Sequence, residues 1–470
     1  MTDQKKLTWH KWIFLVVFIY TLLLGLFIQL VFLPHLVPSM HMADGVLAQN
    51  YDSYTFHTQA RTLADLIKTE GWSHWEWRPG ASGISSLMAV FYVFFGPHIW
   101  LMMPYNALVH AFSVVVLFDL FRSILPGMSR RACLIGALPY AFFPSTLLWT
   151  TQVHKDGLFF LAVFMLIWVS VRVMQYDHRS RNWLYVLWLF VVCVLGQFFL
   201  WWFRRDRITF FELFYGLCIF GMLLSWVARK RRMDLSTITS IGLLVIMIVS
   251  GALFLQWRIR PNIHGKGLTD EQWTERYEFS QDLEQWDAAH WEPTSWLPEK
   301  VDAKLALMTE IRNNYFLIHW KSNSAIDRYR VFKSADDMIR YIPRMLAISY
   351  FVPFPTDWLD AGSSGSATIM RRLVALETFF VYLSFAGLLC LLWKHWRNPY
   401  LWYLLLIVTV FMMVYAYVFP NVGTLYRQRF GFLSLVTGLG FLSIASWFDG
   451  RRRETVSLRI VREEPELAND

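Results

Sequence analysis

The residue that could do chemistry most directly is Asp52, in Asn50-Tyr-Asp-Ser-Tyr-Thr-Phe-His57, at the head of a stretch with helical apolar spacing. A carboxylate there can cap the helix, or accept the proton of an attacking hydroxyl, and one residue can do both. Asp44 lies near His41, and an Asp/His pair can hold a divalent ion or stand as solvated loop groups. Gln152-Val-His-Lys-Asp156 follows a long apolar stretch. There Lys155 reads either as a point charge for a lipid-linked phosphate or as an interfacial anchor, with Asp156 capping the next helix. Two arginine clusters follow, Arg204, Arg205 and Arg207 in Trp201-Trp-Phe-Arg-Arg-Asp-Arg207, and Arg427 and Arg429 in Gly423-Thr-Leu-Tyr-Arg-Gln-Arg429. Guanidinium groups suit bidentate phosphate recognition, although one such cluster could equally snorkel to lipid headgroups. Trp75-Glu-Trp-Arg-Pro79 offers belt aromatics, or aims Arg78 into the same cavity. There is no P-loop, GxGxxG or HExxH pattern.

The elements that must position these residues are membrane spans. Of 470 residues, 56% are hydrophobic and only 17% charged, where a soluble chain carries about 25% charged residues. The apolar residues gather in windows of about 20, the length that crosses a hydrocarbon core. Spans are expected at 12–33, 99–121, 132–150, 158–175, 183–200, 209–228, 237–257, 372–393, 400–418 and 430–447, about ten in all. Lys5, Lys6 and Lys11, then Arg122, Arg130 and Arg131, Arg172, Arg179 and Arg181, Arg229 to Arg232, Lys394 and Arg397, and Arg451 to Arg453 fall on one side of that arrangement. The bias places both termini in the cytoplasm and the chemistry on the opposite face. The net charge of +9 is thus an orientation signal, and no nucleic-acid partner follows from it. The first apolar stretch is too long for a cleavable signal. Cys133, Cys193, Cys218 and Cys390 all fall in spans and read as small buried residues.

Residues 83–95 are apolar but short, and counting them as a crossing would invert the basic loops, so they read as a re-entrant or interfacial helix. Within 34–82 a surface helix is expected, with Phe56, Ala60, Leu63 and Ile67 on one face and His57, Arg61, Asp65 and Lys68 on the other. Ser334 to Asp337 has the pattern of a capping box, opening a helix that Pro343 disturbs. Gly362-Ser-Ser-Gly365 reads as a turn. The chain thus divides into a transmembrane module over 1–257 with a first outer loop at 34–98, an outer loop region at 258–371, membrane helices at 372–447 and a tail at 448–470.

Four segments, in this order, resemble the GT-C superfamily of polytopic glycosyltransferases, in particular the bacterial protein mannosyltransferase and aminoarabinose transferase branch. They are Asp52 to Arg61, Gly71 through Arg78-Pro79 to Phe94-Phe95-Gly96, His154-Lys155-Asp156-Gly157, and Asn421 to Arg429. The likeness covers roughly residues 10–180 in order and later parts loosely. The resemblance implies a bundle of about ten membrane helices with outer-face amphipathic helices and a large outer loop. It implies a sugar donor linked to polyprenyl phosphate and a saccharide, lipid or protein acceptor, at the outer face of a bacterial inner membrane. Asp52 would be the base, and Lys155, Arg427 and Arg429 would hold the donor phosphate. Arg204 and Arg205 join them as basic residues on the same side, with Arg78, His57, His154 and Asp156 as substrate contacts. Asp-Ser stands where many relatives have paired acidic residues, which leaves a divalent metal, with Asp44 as its candidate ligand, an open expectation. The rivals are a lipid-linked polysaccharide polymerase or ligase, working through outer-loop arginines, and a lipid or saccharide transporter. Few carboxylates lie in the spans (Asp119, Glu212 and Glu377, all near ends), which weighs against transport.

Overall fold

Chain segments of about 20 apolar residues have one way to satisfy their backbone in lipid, which is to close every hydrogen bond within a helix. In the computed structural model, which describes residues 3–42, 45–46, 51–79, 82–179, 182–229, 234–256, 291–318, 324–327, 330–362 and 365–463, helices account for nearly all of the order and no strand forms among the described residues. Eight helical runs are long and apolar enough to cross a membrane: Thr8–Leu36, Ile99–Ile124, Asp156–Met174, Trp183–Ala228, Leu235–Gln256, Thr368–Lys394, Pro399–Val418 and Val422–Asp449. Arg130–Phe142 and Pro144–Thr150, bent by 56° at their junction, make a ninth if taken as one broken span. The chain is an all-α, multi-pass membrane protein.

Two expected spans differ in detail. The stretch expected as continuous over 132–150 breaks at Phe143, which is extended (φ −64°, ψ 141°). The cause is Pro144, whose ring disfavours the helical conformation in the residue before it. The stretches expected at 183–200 and 209–228 belong to one 46-residue run. Arg204 interrupts that run with φ −148° and ψ 64°, outside the helical region. The first span also changes character near its end. Over Ile28–Leu36 it widens into a π-helix around Pro34, and Val37 N–H reaches back to Phe32 O at 2.9 Å.

The chain divides into two units: residues 1–263, 390–401 and 438–470 form one, and 264–389 with 402–437 the other. In the first unit, α1 (Asp3–Phe27) runs beside α4 (Met103–Ile124), which also packs on α7 (Asp156–Met174); α7 in turn packs on α8 (Trp183–Arg204). Between these come α2 (Tyr51–Glu70), α3 (Gly83–Phe95), α5 (Arg130–Phe142) and α6 (Pro144–Thr150), and α9 (Ile208–Arg229) and α10 (Leu235–Gln256) follow. His10 Nε2 lies 2.9 Å from Asp119 Oδ1, tying α1 to the far end of α4. Cys133, Cys193 and Cys218 are buried as expected, whereas Cys390 is exposed.

The second unit holds α11 (Glu299–Ile318), α12 (Ala335–Arg340) and α13 (Ile342–Phe351), with most of α14 (Gly365–Lys394), α15 (Pro399–Val418) and the first part of α16 (Val422–Glu463). Ser334 caps α12 by accepting the Asp337 N–H at 3.3 Å. Asp337 does not complete the expected box, because its carboxylate turns to Arg330 and to Lys333 N–H. The helix breaks at Tyr341 and restarts with Pro343 in the first turn of α13, as the sequence predicts. Half of the expected Gly362–Gly365 turn, and most of the expected outer loop before residue 291, lie outside the described residues.

Candidate functional site

The apolar spacing of α2 does form a helix with one buried face: Phe56, Ala60, Leu63 and Ile67 are buried, while Arg61, Asp65 and Lys68 are exposed. His57 is the correction. It is 4% exposed, and its Nδ1 lies 2.8 Å from the hydroxyl of Tyr92 on α3. It belongs to the buried face because it stands four residues after buried Ser53 and three before Ala60. The apolar segment 83–95 is a 13-residue helix, too short to span, and it packs on α2.

Asp52 occupies the first turn of α2 and is half-buried. Its neighbour Ser53 is fully buried, donates to Val153 O at 2.7 Å and lies 3.3 Å from His154 Nε2. The start of α2 is thereby fixed against the segment joining α6 to α7. That segment is itself held from behind by neutral polar groups. Gln29 donates to Thr151 O at 2.8 Å, and the Asn106 amide donates to Thr150 O and Gln152 O, each at 2.8 Å. His154 is buried against the Trp149 ring, with centroids 4.9 Å apart. Lys155 is half-buried, with its ammonium 5.8 Å from the centre of the Phe56 ring.

Asp156 was expected to cap α7. It is instead the first residue of that helix, 1% exposed, and it pairs with Arg204 at 2.5 Å. Arg204 is 9% exposed and also covers the Phe159 ring at 5.3 Å. The donor role expected for Arg204 therefore meets a guanidinium already committed inside the fold. Arg205 and Arg207 lie in the short turn that follows, where Arg207 pairs with exposed Asp206 at 3.2 Å. The loop carrying Arg78 is pinned to the end of α8, because Trp202 donates its indole N–H to Trp77 O at 2.7 Å. Burial, and then the neighbouring Arg205, lower the Arg78 guanidinium from its ordinary value, with Asp206 opposing.

The first unit thus gathers Asp52, His57, Arg78, His154, Lys155, Asp156, Arg204 and Arg205 around the head of α2, the head of α7 and the tail of α8. Sequence reasoning missed Gln29, Ser53, Tyr92 and Asn106, which hold the arrangement. Gln29, Tyr92 and Asn106 gave one signal, being polar within apolar stretches where each must find a partner; Ser53, in a polar stretch, gave none.

The second unit carries Arg427 and Arg429 near the head of α16. Arg427 is half-buried. Arg429 is fully buried and donates to Ile348 O at 2.6 Å, and also to Ser349 O and Val352 O. A cation there meets the negative end of the α13 dipole and donates to carbonyls in and just past its last turn, of which Ile348 O also accepts the Val352 N–H. As with Arg204, the phosphate role expected for Arg429 meets donors already in use. Asp327 forms another centre that the sequence did not announce. Arg344 donates to it through Nη2 at 2.9 Å and Nε at 3.2 Å, and the Tyr341 hydroxyl donates at 2.5 Å. Burial acts against the charged form of Asp327, but these donors outweigh it and hold the carboxyl below its ordinary range.

Asp44 lies outside the described residues, and His41 accepts the Gly45 N–H at 2.9 Å. Among the described residues no group of three or more His, Cys, Asp or Glu side chains is arranged to hold a metal ion. Comparison with protein-family models, with curated proteins and with solved structures finds no match.

Proposed function

We propose that this protein is a membrane glycosyltransferase of the GT-C type, moving a sugar from a polyprenyl-phosphate donor to an acceptor at the outer face of a bacterial inner membrane. The observation that carries the reading is the clamped start of α2. Asp52, a half-buried carboxylate, is held by its neighbour Ser53 beside the segment bearing Lys155. On this reading the 46-residue run is two spans that turn at Arg204, and the bent pair is one, which gives about ten crossings with both termini cytoplasmic.

In the reaction the bond between the sugar's anomeric carbon and the phosphate oxygen breaks, and a new bond forms from that carbon to the acceptor oxygen. The departing polyprenyl phosphate keeps the electron pair, and Asp52 takes the acceptor's proton. Phosphate is a good leaving group, so the enzyme's work is positioning, charge stabilisation and base catalysis. Lys155 and Arg205 supply positive charge to the phosphate. Arg204 and Asp156 hold the frame behind them.

The test is sugar transfer in membranes, with lipids co-purified on the protein identified by mass spectrometry. Asp52→Asn should leave the protein folded and lower transfer by about 100-fold or more. Full activity in that variant removes Asp52 from the mechanism. The proximity of Arg78 to Arg205 favours a second reading, a polysaccharide polymerase or ligase working through paired arginines. That enzyme would fail with Arg205→Ala and survive Asp52→Asn.

A further inference from the structure

The irregular stretch between α6 and α7 is gripped along its whole length. Thr150, Thr151, Gln152, Val153 and His154 are each at most 7% exposed. Four successive carbonyls of this stretch are met by side chains from elsewhere. The Asn106 amide donates to Thr150 O and Gln152 O, each at 2.8 Å. The Gln29 amide donates to Thr151 O at 2.8 Å, and the Ser53 hydroxyl donates to Val153 O at 2.7 Å. Those partners come from three elements: the first turn of α4, the widened end of the first span and the first turn of α2. The backbone of Gly45 closes the far side of the Gln29 amide, since a methyl carbon on Gly45 would collide with Gln29 Oε1. Any buried carbonyl outside a helix needs a partner. Here one amide spans two carbonyls, and a second amide holds the carbonyl between them.

We propose that Asn106 is a positioning residue for Asp52. Both of its amide hydrogens are taken by the carbonyls of residues 150 and 152, and Asn106 itself is 8% exposed, so it acts through the backbone it grips. That grip, with Gln29 on the carbonyl between, sets where Val153 O stands. Val153 O in turn receives Ser53, and Asp52 precedes Ser53 in the first turn of α2. Lys155 lies two residues beyond Val153 on the same stretch, so the same grip serves both residues. The role of Asn106 rests on the glycosyltransferase reading, in which Asp52 is the base. A reacting group misplaced by about 1 Å loses about 100-fold in rate. The short side chain of Asp52 has little reach with which to correct such a shift, whereas the long stem of Lys155 can follow the phosphate.

Hydrogen exchange of the full chain in detergent, read by mass spectrometry, tests the grip without any substrate. Asn106→Ala should speed exchange in the first turns of α2, although residue 106 lies far from them in the chain, while the far end of α4 exchanges as in the wild type. Unchanged exchange at the start of α2 overturns the proposal. Should Asn106→Ala unfold the chain, Gln29→Leu, which removes one bond instead of two, takes its place with the same expected outcomes. Sugar transfer in membranes, per mole of folded protein, is the second arm. Asn106→Ala should lower it by up to about 100-fold. Combined with Asp52→Asn, it should cost less than the product of the two single losses, because both changes act through one carboxylate. Losses that multiply place Asn106 outside the action of Asp52 and overturn the proposal. A wild type without transfer, but with exchange that responds as expected, would overturn the glycosyltransferase reading and leave the grip on α2 standing.

Discussion

Replacing either member of the Asp156–Arg204 pair tests whether the frame behind Asp52 is built as described. The two atoms stand 2.5 Å apart, with side chains 2% and 9% exposed, so neither group can recover full hydration when its partner is removed. Breaking a buried pair by removing one partner costs about 3–5 kcal/mol. The two halves are not equivalent, however. Asp156 is the first residue of α7, where the helix dipole favours a negative charge by about 0.3–1 kcal/mol, and up to about 2 when partly buried. In Arg204→Gln the carboxylate left behind keeps that help and can also take up a proton, which brings the expected loss to about 2–4 kcal/mol. In Asp156→Asn the stranded guanidinium cannot shed its proton and faces the positive end of the same helix, so the loss should reach about 5 kcal/mol. The double variant, Asp156→Asn with Arg204→Gln, buries no charge and should be less damaged than Asp156→Asn alone. Thermal unfolding of the four proteins in one detergent measures the cycle. Equal damage from the two single variants, or strictly additive losses, would refute the assignment of the pair as a buried, dipole-assisted contact.

Two further outcomes follow from the same geometry. Tyr92→Phe removes the hydroxyl facing buried His57 and should destabilise the α2–α3 pair by about 1–3 kcal/mol, read as faster proteolysis between α2 and α3. Asp327 is held below its ordinary range when folded, so its contribution to stability is present above the unfolded carboxylate value, about 3.9, and is lost as pH falls through the lower folded one. Arg344 is 43% exposed, so that contribution is modest, but Asp327→Asn should still flatten the acid limb of a midpoint-versus-pH curve. An unchanged limb would show that Asp327 does not titrate with folding.

The sequence made the membrane class legible because window length and charge bias act locally. It made the buried face of α2 legible for the same reason: Phe56, Ala60, Leu63 and Ile67 repeat at the helical period. His57 was misplaced because chemical type was allowed to outrank register. A polar side chain at a core position is tolerable once Tyr92 answers it, and nothing local to residue 57 announces residue 92. The break at Phe143 could have been read from Pro144, whose effect on its predecessor is steric and local. The partners of Arg204 and Arg429 could not be read. Asp156 lies 48 residues from Arg204, and the carbonyls that Arg429 holds lie 77 to 81 residues away. Such pairings depend on how helices meet rather than on anything near either residue.

That distinction bears on which cations can serve an anionic substrate. Arg204 could turn to a phosphate only by giving up its contact with the buried carboxylate of Asp156, which costs several kcal/mol. Arg429 would have to release Ile348 O, Ser349 O and Val352 O at the end of α13, and a carbonyl left unsatisfied in a dry setting is costly. Arg205 pairs with no carboxylate among the described residues and has Arg78 as a like-charged neighbour. An anion placed between Arg78 and Arg205 would relieve that repulsion. Arginines that look alike in the sequence thus fall into two groups. Those with committed donors build the frame, and on the proposed reading the phosphate meets Arg205 beside its like-charged neighbour Arg78.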